Sequence, residues 1–199
     1  MAQDRLGPID TSDMTPAQQA AAQAIIDGPR GAVYGPFVPL LRSPELMDHA
    51  QRLGEYLRYR SALGTRLSEL AILVTARQWD QQVEWAIHAP VAAQAGISAE
   101  AIDDIAYARR PAGMSDEESA VYDFSRELNR NQRVSDATYA RALALFGERG
   151  VVDLMAINGY YTFLAMVMNA ARTAAPAAPR SSWSPASPRA APGWSPART

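Results

Sequence analysis

The stretch RLSELAILVTARQWDQQVEWAIHAP, residues 66–90, decides the fold. From Arg66 to Trp79 it is nearly apolar apart from Glu69, Arg77 and a few small hydroxyls, which is the composition of a helix buried on most sides. A second helix is expected to start near Asp80 and to end at Gly96, with Pro90 kinking it or lying near its last turns. Folded as an antiparallel hairpin around Trp79-Asp80, the two helices bring Glu69 and Glu84 to similar heights. Glu84 and His88 stand four residues apart, so they share a helical face and can touch.

Outward from this hairpin, prolines cluster between positions 8 and 44 and again between 176 and 196, leaving only Pro90 and Pro111 between them. The middle of the chain therefore reads as helical and its ends as irregular. Thr15-Pro16 pairs an N-cap with a first-turn proline, and Gly28-Pro29 stops that helix. Ser43-Pro44 repeats the start signal for a helix whose apolar stripe is expected to be Leu46, Ala50, Leu53 and Leu57. Ser98 caps a helix carrying Ile102 and Ile105. Ser115 and Glu118 spell a capping box ahead of Val121, Phe124 and Leu128, and Ser135 caps a helix through Tyr139, Leu143 and Phe146 that Gly147 stops.

The last helix of the body, Val151 to Arg172, contains LMAINGYYTFLAMVM and is long enough to raise a membrane span as the alternative. Asp153, Asn158 and Asn169 interrupt it, and Gly159 suits close packing, so a core or subunit-interface helix is the better account. No alternating strand pattern occurs, and the expectation is an all-α domain. Three regions follow: an N-terminal helix and extended arm over 1–36, the helical domain over 37–173, and a disordered tail over 174–199. That tail is rich in Pro, Ala and Ser, holds Trp183 and Trp194, and has no acidic residue.

Composition narrows the chemistry. The 199 residues include no cysteine, all 19 basic residues are arginine, and the histidines are His49 and His88. Disulfides, thiolate nucleophiles and cysteine metal sites are excluded, as are Schiff bases and P-loop lysines. Carboxylate, imidazole, hydroxyl and guanidinium groups remain. A net charge of −2 gives no electrostatic footprint for nucleic acid. The N-terminus lacks the apolar core of a signal peptide, so neither membrane nor export is expected and the expected compartment is the cytoplasm.

Glu69, Glu84 and His88 are ionisable where apolar residues would be expected. Apolar neighbours take Glu84 and His88 partly out of water; desolvation raises a carboxyl pKa while a charged partner lowers it, so the pair can hold a transferable proton near neutral pH. The competing account is structural, an ordinary ion pair with Glu69 bonded to an arginine such as Arg66 or Arg77. Spacing alone leaves both open. A metal site built from the three residues is not expected. His49, beside Asp48 on an ordinary amphipathic helix, reads as solvated.

Residues 66–105, RLSELAILVTARQWDQQVEWAIHAPVAAQAGISAEAIDDI, resemble the core motif of the carboxymuconolactone decarboxylase family, which also contains the alkylhydroperoxidase D proteins. GVVDLMAINGYYTFLAMVMNAA, residues 150–171, is similar to that family's closing helix, and the likeness covers roughly Phe37 to Arg172. The resemblance implies an alkylhydroperoxidase D-like helical fold assembling as trimers or hexamers, with the site in a pocket near a subunit interface. In the peroxidase branch a glutamate precedes a C-x-x-C-x-x-x-H motif. Glu69 matches that glutamate and His88 the histidine, while Gln81 and Glu84 occupy the cysteine positions, so thiol peroxide chemistry is excluded. The decarboxylase branch carries E-W-x-x-H, which this chain keeps at Glu84, Trp85 and His88.

The resulting expectation is a cofactor-free lyase or isomerase acting on a small carboxylated lactone or related activated acid. Glu69, Glu84 and His88 are the expected catalytic residues, with Arg66, Arg77 and Trp85 expected to bind substrate. A non-catalytic helical oligomer is the alternative from another class, and a thiol-free peroxidase follows only from family naming. An excess of apolar surface on the last helix points to a homo-oligomer.

Overall fold

Helix α4, Gly64–Gln78, is the axis of the protein: every residue from Leu67 to Ala76 is buried. The computed structural model describes residues 4–175, and the regular structure among the described residues is wholly helical. Before α4 come α1 (Pro16–Ile26), the short α2 (Phe37–Leu40) and α3 (Pro44–Tyr59); after it come α5 (Gln82–Gln94), α6 (Ala99–Ala106), α7 (Asp116–Asn131) and α8 (Asp136–Ala171). α3, α5, α6, α7 and α8 all pack against α4. A helix enclosed in this way has almost no face left for water, which explains why its buried run is apolar apart from Ser68, Glu69 and Thr75.

Local signals set most boundaries. Thr15 with Gln18, and Ser115 with Glu118, form reciprocal capping boxes at α1 and α7, while Ser98 and Ser135 cap α6 and α8. Gly147 leaves helical geometry inside α8 at φ 64°, so the run bends there into two helices, as expected at that residue. Three details differ from expectation. Ser43 has a φ of −130° and its side chain makes no capping bond. α5 begins at Gln82, because Asp80 turns into the left-handed region at φ 48° and the Gln81 side chain caps the helix instead. On α3 the buried face is Met47, Ala50, Gly54 and Leu57, whereas Leu46 and Leu53 are 45% and 46% exposed.

The polar residues of α8 are built into the core. Asp153 accepts hydrogen bonds from the Tyr56 hydroxyl at 3.0 Å and the Ala62 amide at 2.7 Å. Asn158 accepts from Thr75 and from Asn129, and donates to Ser125 Oγ at 3.0 Å. Asn169 donates to the Trp79 carbonyl and accepts from Gln81. α8 is the one helix among the described residues long and apolar enough to cross a membrane, and these three interruptions all have partners elsewhere in the domain, those of Asn169 in the α4–α5 turn.

The N-terminal arm belongs to the same body. Arg5 donates from its amide and guanidinium to the carbonyls of Ala171 and Ala170, and Ile25 of α1 is part of the shared core. Of the tail expected over 174–199, the stretch 176–199 lies outside the described residues.

Candidate active site

α4 and α5 form the hairpin that residues 66–90 foretell, and Gln81 fixes its turn. The Gln81 Oε1 atom accepts from the Val83 amide at 2.6 Å, and its Nε2 donates to Asn169 Oδ1 at 2.7 Å. A residue placed where a related sequence would carry a cysteine is thus a helix cap. One turn further along α5, Glu84 faces inward and is 2% exposed.

His88 lies between two carboxylates. Its Nδ1 is 2.6 Å from Glu69 Oε2 on α4, and its Nε2 is 3.2 Å from Glu84 Oε2 on its own helix. The Tyr161 ring meets the imidazole edge-on at 5.1 Å between centroids, fixing the plane of the ring. Burial opposes charge on His88, but the attraction and hydrogen bonding of Glu69, joined by Glu84, outweigh it and hold the imidazole pKa above its ordinary value. Arg58 from α3 lies behind Glu69, with Nε 3.9 Å from Glu69 Oε1.

Glu84 and His88 open onto a small cavity of about 20 Å³, room for a single water. Arg58, Tyr160, Arg30 and Tyr34 also line it, while Phe37, Ile87 and Leu164 supply apolar wall. Burial, first, and the nearby Glu84 charge push the Tyr160 phenol pKa well up, despite the opposing arginines, so it is a hydroxyl donor. The Tyr160 ring reaches this position because residue 54 is glycine: a Cβ there would overlap both the phenol and the Arg30 guanidinium.

The structure brings together the three expected catalytic residues. Glu69 sits one layer back, bonded to His88, while Glu84 and His88 border the cavity. It does not bring the expected substrate-binding residues there. Arg66 donates to Glu118 Oε1 at 2.6 Å and Glu117 Oε2 at 3.0 Å, tying α4 to the start of α7. Arg77 bonds Asp80 and the Ala106 carbonyl, bracing the α4–α5 turn. Trp85 is buried in the hydrophobic core and does not line the cavity.

Arg30, Arg58 and Tyr160 were not singled out by sequence. The one signal for them was Gly54, a poor helix former in the middle of an otherwise regular amphipathic helix, marking where another element comes close.

Residues 44–127 match the carboxymuconolactone decarboxylase family. Two crystal structures are similar in fold: a cysteine-to-alanine variant of the debrominase Bmp8 in complex with 2,3,4-tribromopyrrole, and the same debrominase in its apo form. Each superposes with a TM-score of 0.69 at 12% identity. The alignments cover 86% and 88% of this chain, and 91% and 94% of theirs. Among curated proteins, none matches the chain in sequence.

Proposed function

Starting from residues 44–127 as a carboxymuconolactone decarboxylase family domain, we propose that this protein is a cofactor-free lyase or isomerase that moves a proton to or from a small, conjugated, carboxylated substrate. The observation that carries this reading is the buried Glu69–His88–Glu84 chain, whose outer end meets a cavity. A structural ion pair needs no cavity at its end.

The chemistry follows from the order of the groups. In a decarboxylation, the bond from the substrate carbon to its carboxylate breaks and the electron pair flows into a conjugated carbonyl, leaving an enolate and CO₂. The enolate carbon then takes a proton. The proton shared by His88 Nε2 and Glu84 stands at the cavity, and its departure leaves a neutral imidazole whose Nδ1–H is still held by Glu69. Reprotonation from solvent resets the pair. In an isomerisation the same pair removes a proton at one carbon and returns it at another.

The debrominase structures suggest a small flat ring as the kind of ligand such a fold accommodates. Replacing C–Br by C–H is a two-electron reduction, and a chain without cysteine carries no thiol to supply those electrons. We therefore carry over the shape of ligand and not the reaction.

A panel of muconolactones and β-keto acids, assayed for CO₂ release and for deuterium uptake from D₂O, tests the proposal. Turnover lost in His88→Ala, with the helical circular dichroism retained, is the expected result. Near-full activity in that variant refutes it, and inactivity of the wild type across the panel favours a non-catalytic binding module.

A further inference from the structure

Five buried side-chain polar atoms among the described residues have no hydrogen-bond partner, and three of them belong to residues that line the small cavity: Arg58 Nε, Glu84 Oε1 and Tyr160 Oη. Each unmade bond costs roughly 1–3 kcal/mol, so three at one place mark a position where something else completes them. The atoms differ in kind. Glu84 Oε1 accepts, and belongs to the proton-transfer end. Arg58 Nε and the Tyr160 hydroxyl donate, on residues contributed by α3 and α8.

Charge distinguishes the two ends further. Glu69 and Glu84 as carboxylates are balanced by protonated His88 and by Arg58, and Arg30 then adds one positive charge to the cavity wall. The Arg30 guanidinium donates to the Gln51 carbonyl at 3.3 Å and lies 4.8 Å over the Phe37 ring, and no carboxylate among the described residues pairs with it. A cavity with two unused donors and one surplus positive charge suits a single anionic oxygen-bearing group.

We propose that Arg58, Tyr160 and Arg30 form an anion subsite that anchors a carboxylate of the substrate, and that this carboxylate survives the reaction. The assignment rests on the proton-transfer reading above for its second half. A carboxylate that leaves as CO₂ loses its charge, so guanidinium contacts to it stabilise the starting state and raise the barrier. A cation favours catalysis when it holds a group whose charge persists or grows in the transition state, and a carboxylate anchored away from the reacting carbon is such a group. The reacting carbon then points the other way, toward Glu84 and His88. With about 20 Å³ free, a ring-sized ligand also displaces part of the wall. The exposed Tyr34 lies on the connection between α1 and α2, which contains the left-handed Gly31 and Gly35 and is the wall segment outside regular structure.

Calorimetric titration of the full chain with 2-furoate and with its neutral amide, 2-furamide, tests the subsite without requiring turnover. The acid is expected to bind roughly tenfold or more tightly than the amide, and Arg58→Gln, Tyr160→Phe and Arg30→Gln each to weaken the acid by a similar factor. Equal affinity for acid and amide, no binding of the acid at millimolar concentration, or unchanged affinity in the folded Tyr160→Phe and Arg30→Gln variants overturns the proposal. Acid-selective binding in a protein that turns over nothing leaves the subsite standing and removes the lyase reading. Turnover without acid-selective binding does the reverse.

Discussion

Glu69 and His88, nineteen residues apart in sequence and on different helices, approach to 2.6 Å with both side chains almost wholly buried. The contact sets which imidazole nitrogen keeps its proton when the other gives one up. Replacing Glu69 by Gln preserves size but removes the charge that favours the imidazolium. We expect a fall in kcat of roughly 10²-fold or more and a drop in the His88 pKa, read by NMR of the imidazole protons. An unchanged His88 titration would falsify the positioning role.

The same contact makes stability depend on pH. The folded-state pKa of His88 is raised above 6.5, so its stabilisation is complete below that value and is lost as pH rises through the folded pKa. Urea midpoints of the wild type should fall across that interval, relative to those of His88→Gln. Parallel profiles for the two proteins remove His88 as the source.

Gly54→Ala is expected to disturb the site from outside it. Alanine is the better helix former by about 1 kcal/mol, yet its methyl overlaps the Tyr160 phenol and the Arg30 guanidinium. Overpacking of this kind costs about 1–3 kcal/mol, so we expect a small fall in Tm together with a raised KM. A higher Tm with unaltered KM would show that the ring relaxes freely.

Val152, Met155 and Met166 of α8 are exposed, and Gly159 between them has nothing within 4 Å of a would-be Cβ. These positions follow one helical stripe, and we propose that a second copy of the chain covers it. Light scattering should report an oligomer, and Val152→Glu should dissociate it. A monomer at tens of micromolar contradicts the proposal.

Much of this was legible because it is local. The N-cap at Thr15 and the capping box at Ser115 lie within four residues, and the Glu84–His88 pair within one helical turn. α4 announced its burial through composition. On α3, Ala50 and Leu57 are buried as expected, but the core takes Met47 and Gly54 in place of Leu46 and Leu53, against side-chain hydrophobicity at position 54, because the Tyr160 ring fills the space over Gly54. Arg66 and Arg77 were plausible as substrate ligands until their acceptors, Glu118, Asp80 and the Ala106 carbonyl, were seen. Arg30, Arg58 and Tyr160 come from segments more than a hundred residues apart at their extremes, and only tertiary packing assembles them.

The family match begins at residue 44 and ends at 127. Glu69, Glu84, His88 and also Arg58 lie inside it, whereas Arg30, Tyr34, Tyr160 and Leu164, all lining the cavity, lie outside. The two halves of the site can therefore diverge at different rates. A lineage keeping the same proton-handling helices could acquire a new diet by altering its first forty residues and its final helix, and sequences that agree over the shared segment need not agree in what they consume.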